Sequence, residues 1–150
     1  MSQPNIYKFN EITGRIFSAL YDSFPQPLQI NFEDYLTPLT SPNNPVDEVA
    51  DNFFGCQFVS DSATWIKEAG YITSVSSDRF SFYGTVLTAK GLECLKKVPT
   101  SLDSQPSFGK QLGDAVKGGS VDALRTITSS VITVGAAFTA PRFGLPITFP

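Results

Sequence analysis

Histidine is absent from the 150 residues of this chain, and only two cysteines, one tryptophan and one methionine occur. Without histidine there is no Ser-His-Asp or Cys-His nucleophile, no ordinary general base near neutral pH, and none of the commonest metal ligand. Cys56 and Cys94 stand 38 residues apart, and two thiols alone cannot complete a tetrahedral zinc site. A phosphate loop is missing too, because GDAVKGGS at 113–120 lacks the Gly-x4-Gly-Lys-Ser/Thr spacing. Asp47, Glu48 and Asp51 form an acidic run on a predicted helix; the helix dipole accounts for the first pair, and the run gives no basis for a glycosidase-like or metal-dependent site. These absences predict a protein that is not an enzyme and uses no metal or cofactor. The first residues, MSQPNIYKFNEITG, have no basic segment leading into an apolar one, so no secretory signal is read; with free thiols this predicts a cytoplasmic protein.

Large apolar side chains are plentiful. Thirteen Phe, five Tyr and a hydrophobic fraction of 41% suffice for one domain core at this length. The net charge of -3 is unevenly spread: residues 1–70 carry three basic and nine acidic side chains, and residues 71–150 carry eight basic and five acidic. The first part is therefore at -6 and the second at +3. An acidic surface repels nucleic acid and attracts basic partners.

Periodicity gives the elements. Ile12, Ile16 and Leu20, flanked by Phe9 and Phe24, line one face of a first helix with Asn10 as its cap, and Pro25 and Pro27 stop it. LQINFEDY alternates as a short strand, with Leu28, Ile30 and Phe32 inward. After the proline-rich TPLTSPNNP, Asn44 and Pro45 open a second helix with Val46, Val49, Ala50 and Phe53 buried. FFGCQF reads as a connection to a third helix, Ser60 to Ala69, ended by Gly70. YITSV and FSFYGTVL form a hairpin, with Phe80, Phe82 and Val86 on one face. Thr88 caps a fourth helix that runs to Pro99. Residues 99–110 are a Ser/Pro linker, a small helix occupies Lys110 to Lys117, Gly118-Gly119 breaks it, and a last helix begins at Ser120. Its stripe is Val121, Leu124, Ile127 or Thr128, Val131, and Val134 or Gly135, then Phe138, and the tail PRFGLPITFP is irregular.

The phrases WIKEAGYI at 65–72 and TVLTAKGLECL at 85–95 carry a family likeness. The first resembles the end of a third helix turning into a wing, through Ile66, Gly70, Tyr71 and Ile72. The second resembles a wing strand leading into a capped helix, through Leu87, Thr88 and Gly91. Over residues 9–98 the chain resembles the winged helix-turn-helix family. The resemblance implies an α+β, mostly helical fold: a winged-helix core of three helices, a β-hairpin wing and a fourth helix at 1–98, with a linker and C-terminal helical extension at 99–150. That extension would pack on the core or at a dimer interface, and residues 120–138 are the candidate homodimer segment.

Winged-helix proteins commonly read DNA with the outer face of the third helix, using cationic and amide side chains. With Val59, Ala63 and Ile66 inward, that face here holds Asp61, Thr64, Trp65 and Glu68. An aromatic anchor rimmed by carboxylates suits a basic protein, which makes these four the predicted partner-binding residues. The predicted function is protein binding, as a regulator or an acidic inhibitor; small immunity and antitoxin proteins share this size and charge. The alternative is a dimeric DNA-binding regulator in which Lys67, Ser76, Ser77 and Arg79 touch phosphates. The uncharged stretch 126–141 has six Ser or Thr among sixteen residues, too short and too polar for a membrane span.

Overall fold

The computed structural model describes residues 5–36, 49–98 and 105–148, and of residues 49–54 and 138–148 the backbone alone. In chain order the elements are α1 (Asn5–Ser23), β1 (Leu28–Asn31), a 3-10 turn (Phe32–Tyr35), α2 (Val49–Glu68), β2 (Ile72–Thr73), β3 (Ser76–Ser77), β4 (Ser81–Leu87), α3 (Ala89–Lys96), α4 (Phe108–Gly118) and α5 (Val121–Thr148). The fold is mixed α and β and mostly helical, with one small antiparallel sheet. In that sheet β4 is central: β1 lies along one edge, and β2 and β3 pair in turn along the other.

Helix α1 begins at Asn5, five residues before the cap its sequence suggests, so Asn10 lies inside it and is not its cap. No proline or glycine among residues 5–9 forbids that extension. Ile12, Ile16 and Leu20 form the expected buried stripe, whereas Phe24 lies beyond the helix end and is exposed. The second and third helices expected from the sequence are joined where they meet: α2 runs unbroken through FFGCQF. A single interior glycine costs a helix only about 1 kcal/mol, which packing can offset. At Gly55 that packing is visible, since a Cβ there would stand 2.6 Å from the Leu36 side chain. The cap at Asn44, Pro45 and Val46, and the linker at 99–104, lie outside the described residues, as does the burial of Val49, Ala50 and Phe53.

The hairpin is present, but its inward face is not the even-spaced set Phe80, Phe82 and Val86. Phe82, Thr85 and Leu87 are buried, and Phe80 is exposed. The cause is a bulge: Leu28 pairs with Thr85 while Ile30 pairs with Phe82, so three steps on β4 match two on β1. Gly84 takes the positive φ of 62° that such an insertion needs, and the side-chain alternation changes sides there.

Thr88 caps α3 as read, accepting from the Gly91 amide at 3.0 Å, and the Gly118-Gly119 break is a left-handed cap at Gly119. Helix α5 buries Leu124, Thr128, Val131 and Gly135 against the same core as α1 and α2, choosing Thr128 over Ile127. Its backbone stays helical to Thr148, correcting the irregular tail; Pro141 and Pro146 are accommodated within it. Proline removes a donor from a helix interior, which is why the sequence points to a break there.

Tyr71 is the meeting point of these elements. Its ring is 2% exposed and packs on Phe17 of α1 at 5.7 Å. Its carbonyl accepts from the Thr88 amide at 3.0 Å, and its hydroxyl donates to the Ile132 carbonyl of α5 at 2.9 Å. α3 approaches so closely that a side chain at Gly91 would collide with the Tyr71 carbonyl, and one at Gly135 would collide with the Tyr71 ring. Burial pushes the Tyr71 phenol up to about 12 from its ordinary 10.0. A raised phenol favours the fold while it is protonated, so its contribution is complete below pH 10 and is lost as pH rises toward 12. Burial raises the Cys94 thiol as well, which adds to the same alkaline loss. We predict that the urea midpoint falls steadily across this alkaline range, and that Tyr71→Phe, about 1 kcal/mol less stable at neutral pH through the lost hydrogen bond, shows a shallower fall. Urea titrations at several pH values check both.

Candidate functional site

Helix α2 places its side chains as the 100° turn requires. Val59, Ala63 and Ile66 are buried at 1%, 1% and 0% exposure, so Asp61, Trp65 and Glu68 are left on the outer side, and Thr64 is half-buried beside them. Trp65 is 49% exposed, a large apolar surface for a side chain that ordinarily seeks cover. Its ring meets that of Phe9 on α1 edge to face, with centroids 5.5 Å apart and planes at 88°.

These two rings form part of the wall of a groove of about 670 Å³ between α1, α2 and α5. Ile6 and Phe9 line it from α1, Phe58, Asp61 and Trp65 from α2, and Ile132 from α5. Ile6, 58% exposed, and Trp65 give it an open apolar mouth. Asp61 Oδ1 accepts from Gln57 Nε2 at 2.9 Å, which orients the carboxylate and leaves Oδ2 able to accept from a ligand. On the Phe58 side, Lys8 Nζ lies 5.2 Å from the ring centroid. Thus Asp61 and Trp65 are brought together in the groove; Thr64 and Glu68 flank it on α2 without lining it.

The groove exists because α5 is held against α1. Glu11 and Arg125 form an ion pair at 3.6 Å, only 10% and 16% exposed, and the Arg125 guanidinium lies 5.1 Å from the Tyr7 ring. Buried pairs of this kind fix geometry, because separating them would strand a charge away from water. One turn further on, a side chain at Gly14 would overlap Thr128, and the Leu124 methyl is 2.8 Å from where its Cβ would stand. Glycine at this crossing lets the helix backbones approach closely.

The residues read as phosphate contacts lie elsewhere. Lys67 Nζ is 5.7 Å from the Phe82 ring, folded onto the hairpin, and Ser76, Ser77 and Arg79 are exposed along it. Asp78 sits among them: its carboxylate accepts from the Phe80 and Ser81 amides at 2.8 and 2.9 Å and from the Tyr83 hydroxyl at 2.7 Å. Those bonds hold its carboxyl below the ordinary range, so it stays anionic beside Arg79. Val75 and Phe80, 84% and 55% exposed, make the remainder of this hairpin surface apolar.

Sequence reading found the α2 half of the groove and missed Ile6, Phe9, Phe58 and Ile132. Ile6 and Phe9 are three apart, the helical spacing that marks one face, and they become legible once α1 is started at Asn5. Phe58 lies in FFGCQF, which reads as a connection in the sequence and is part of α2 in the structure. The two thiols are buried and both are pushed up by that burial, which makes them poor nucleophiles. Among the described residues no group of three or more His, Cys, Asp or Glu could hold a metal, and no helix is long and apolar enough to cross a membrane.

Because Trp65 gives up only half its surface to the protein, Trp65→Ala should cost about 2 kcal/mol and lower the Tm by about 6 °C, measured by thermal unfolding. A fully buried tryptophan would cost about 4 kcal/mol.

No family model matches this chain, and no curated protein or solved structure matches it either.

Proposed function

We propose that this protein is a non-enzymatic winged-helix module that binds a basic protein partner through the groove between α1, α2 and α5. The winged-helix part of the reading draws on the sheet, where the strand after α1 pairs with the second strand of the hairpin, and on Thr88 capping the helix that follows; against it stands α2, one continuous helix where the family has two. The observation that carries the function is Trp65, half exposed at the mouth of an apolar groove with the Asp61 carboxylate on its wall. Aromatic anchors in pockets with charged surroundings are what tight protein interfaces are built around. The first seventy residues, at a net -6, add long-range attraction for a cationic partner. The unpaired thiols suit a reducing compartment such as the cytoplasm. Inhibition of a basic toxin or nuclease, or regulation through a basic protein, both fit.

The competing reading is a DNA-binding regulator using Lys67, Ser76, Ser77 and Arg79. It has less to draw on, because the outer face of α2 that would enter a major groove holds Asp61 and Glu68, and two carboxylates there meet phosphate repulsion. Fluorescence anisotropy with mixed genomic DNA fragments at low salt separates the two. The protein-binding reading predicts no binding at micromolar protein, together with a protein retained from lysate by the wild type and lost with Trp65→Ala. Micromolar DNA binding that weakens steeply with salt would replace it with the regulator.

A further inference from the structure

Resting on the protein-binding reading above, we infer that what the groove accepts is an arginine side chain of the partner, its guanidinium stacked on Trp65 and bonded to Asp61. Asp61 and Trp65 are four residues apart on α2, the spacing that makes helix neighbours of side chains, so ring and carboxylate lie within reach of one group. Indole is the ring that holds cations best, and a planar guanidinium can stack on it while directing N–H groups sideways to a carboxylate. Gln57 occupies Asp61 Oδ1 and leaves Oδ2 to accept. Ile6, Phe9 and Ile132 offer apolar surface for the methylene stem and for an aliphatic neighbour in the partner.

The alternatives fit less well. An apolar side chain would fill the groove but cover the Asp61 carboxylate without replacing its water, which is costly. An anionic group would face Asp61 and Glu68 together. Lys8 is held over Phe58, one helical turn from Asp61 on α2, and is not ion-paired with that carboxylate, which therefore is not already taken by a cation among the described residues. Its position also shows that a ring in this wall already holds a cation at 5.2 Å.

Trp65 is the only tryptophan, so its indole N–H gives a single, assignable signal in a nitrogen-15 correlation spectrum of the full chain. N-acetyl-arginine methylamide should shift that signal saturably with a Kd of about 5 mM, weakened about tenfold by Asp61→Asn and by 0.5 M salt, with the norleucine analogue about tenfold weaker. Asp61 is exposed, and Asn keeps an oxygen for Gln57, so the variant should fold; an unchanged Tm confirms it. Equal affinity for arginine and norleucine would overturn the cation assignment while leaving the groove as an apolar docking site. Absence of any shift with arginine up to about 50 mM would also overturn it, and the Trp65→Ala capture comparison would then decide the protein-binding reading separately.

Discussion

The Tyr71 side chain, buried against Phe17 and donating its hydroxyl to the Ile132 carbonyl, joins the turn after α2 to both α1 and α5. Tyr71 belongs to the turn between α2 and the hairpin, and Ile132 belongs to α5, 61 residues later. The same ring touches Phe17 and leaves room only for glycine at position 135, and its carbonyl does the same at position 91. The turn after α2, the start of α3, the middle of α1 and the middle of α5 are thereby placed relative to one side chain. Glu11 with Arg125, and the glycine crossing at Gly14, add a second anchorage of α5 on α1. The groove is a consequence of these anchorages, since one of its walls is α5 and the other two are α1 and α2.

Charge decides what such a groove can recognise. Cations near the surface of this chain are repeatedly drawn onto rings: Lys8 over Phe58, Arg15 over Tyr35, Lys67 over Phe82 and Arg125 by Tyr7. Drawing Lys67 onto the hairpin leaves the outer face of α2 to Asp61, Trp65 and Glu68. The continuous α2 stands where a helix-turn-helix would have two helices, and the carboxylates on its outer face are what the proposal of a positively charged partner rests on.

Much of this was legible in the sequence where local chemistry is decisive. The stripe of Val59, Ala63 and Ile66, the Thr88 cap, the Gly70 turn with its φ of 93° and the Gly119 cap follow from periodicity and from residue types with few alternatives. What failed was where packing outweighs local preference. Gly55 sits inside a helix because Leu36 fills the space a side chain would need, and the bulge at Gly84 reverses the inward face of β4 because β1 pairs in a shifted register. Half of the groove was missed for the same reason: Phe9 and Ile132 come from helices over a hundred residues apart, and only the seating of α5 brings them together.

If that seating controls the groove, disturbing it from the core must be felt at Trp65. Gly135→Ala adds one methyl group against the Tyr71 ring, and overpacking of this kind should cost about 2 kcal/mol and move α5 outward. The account predicts a red shift of Trp65 emission and easier quenching by acrylamide, with Ala137→Ser, at an exposed position of the same helix, leaving both unchanged. A Gly135→Ala protein that is destabilised yet keeps the wild-type emission and quenching would contradict it.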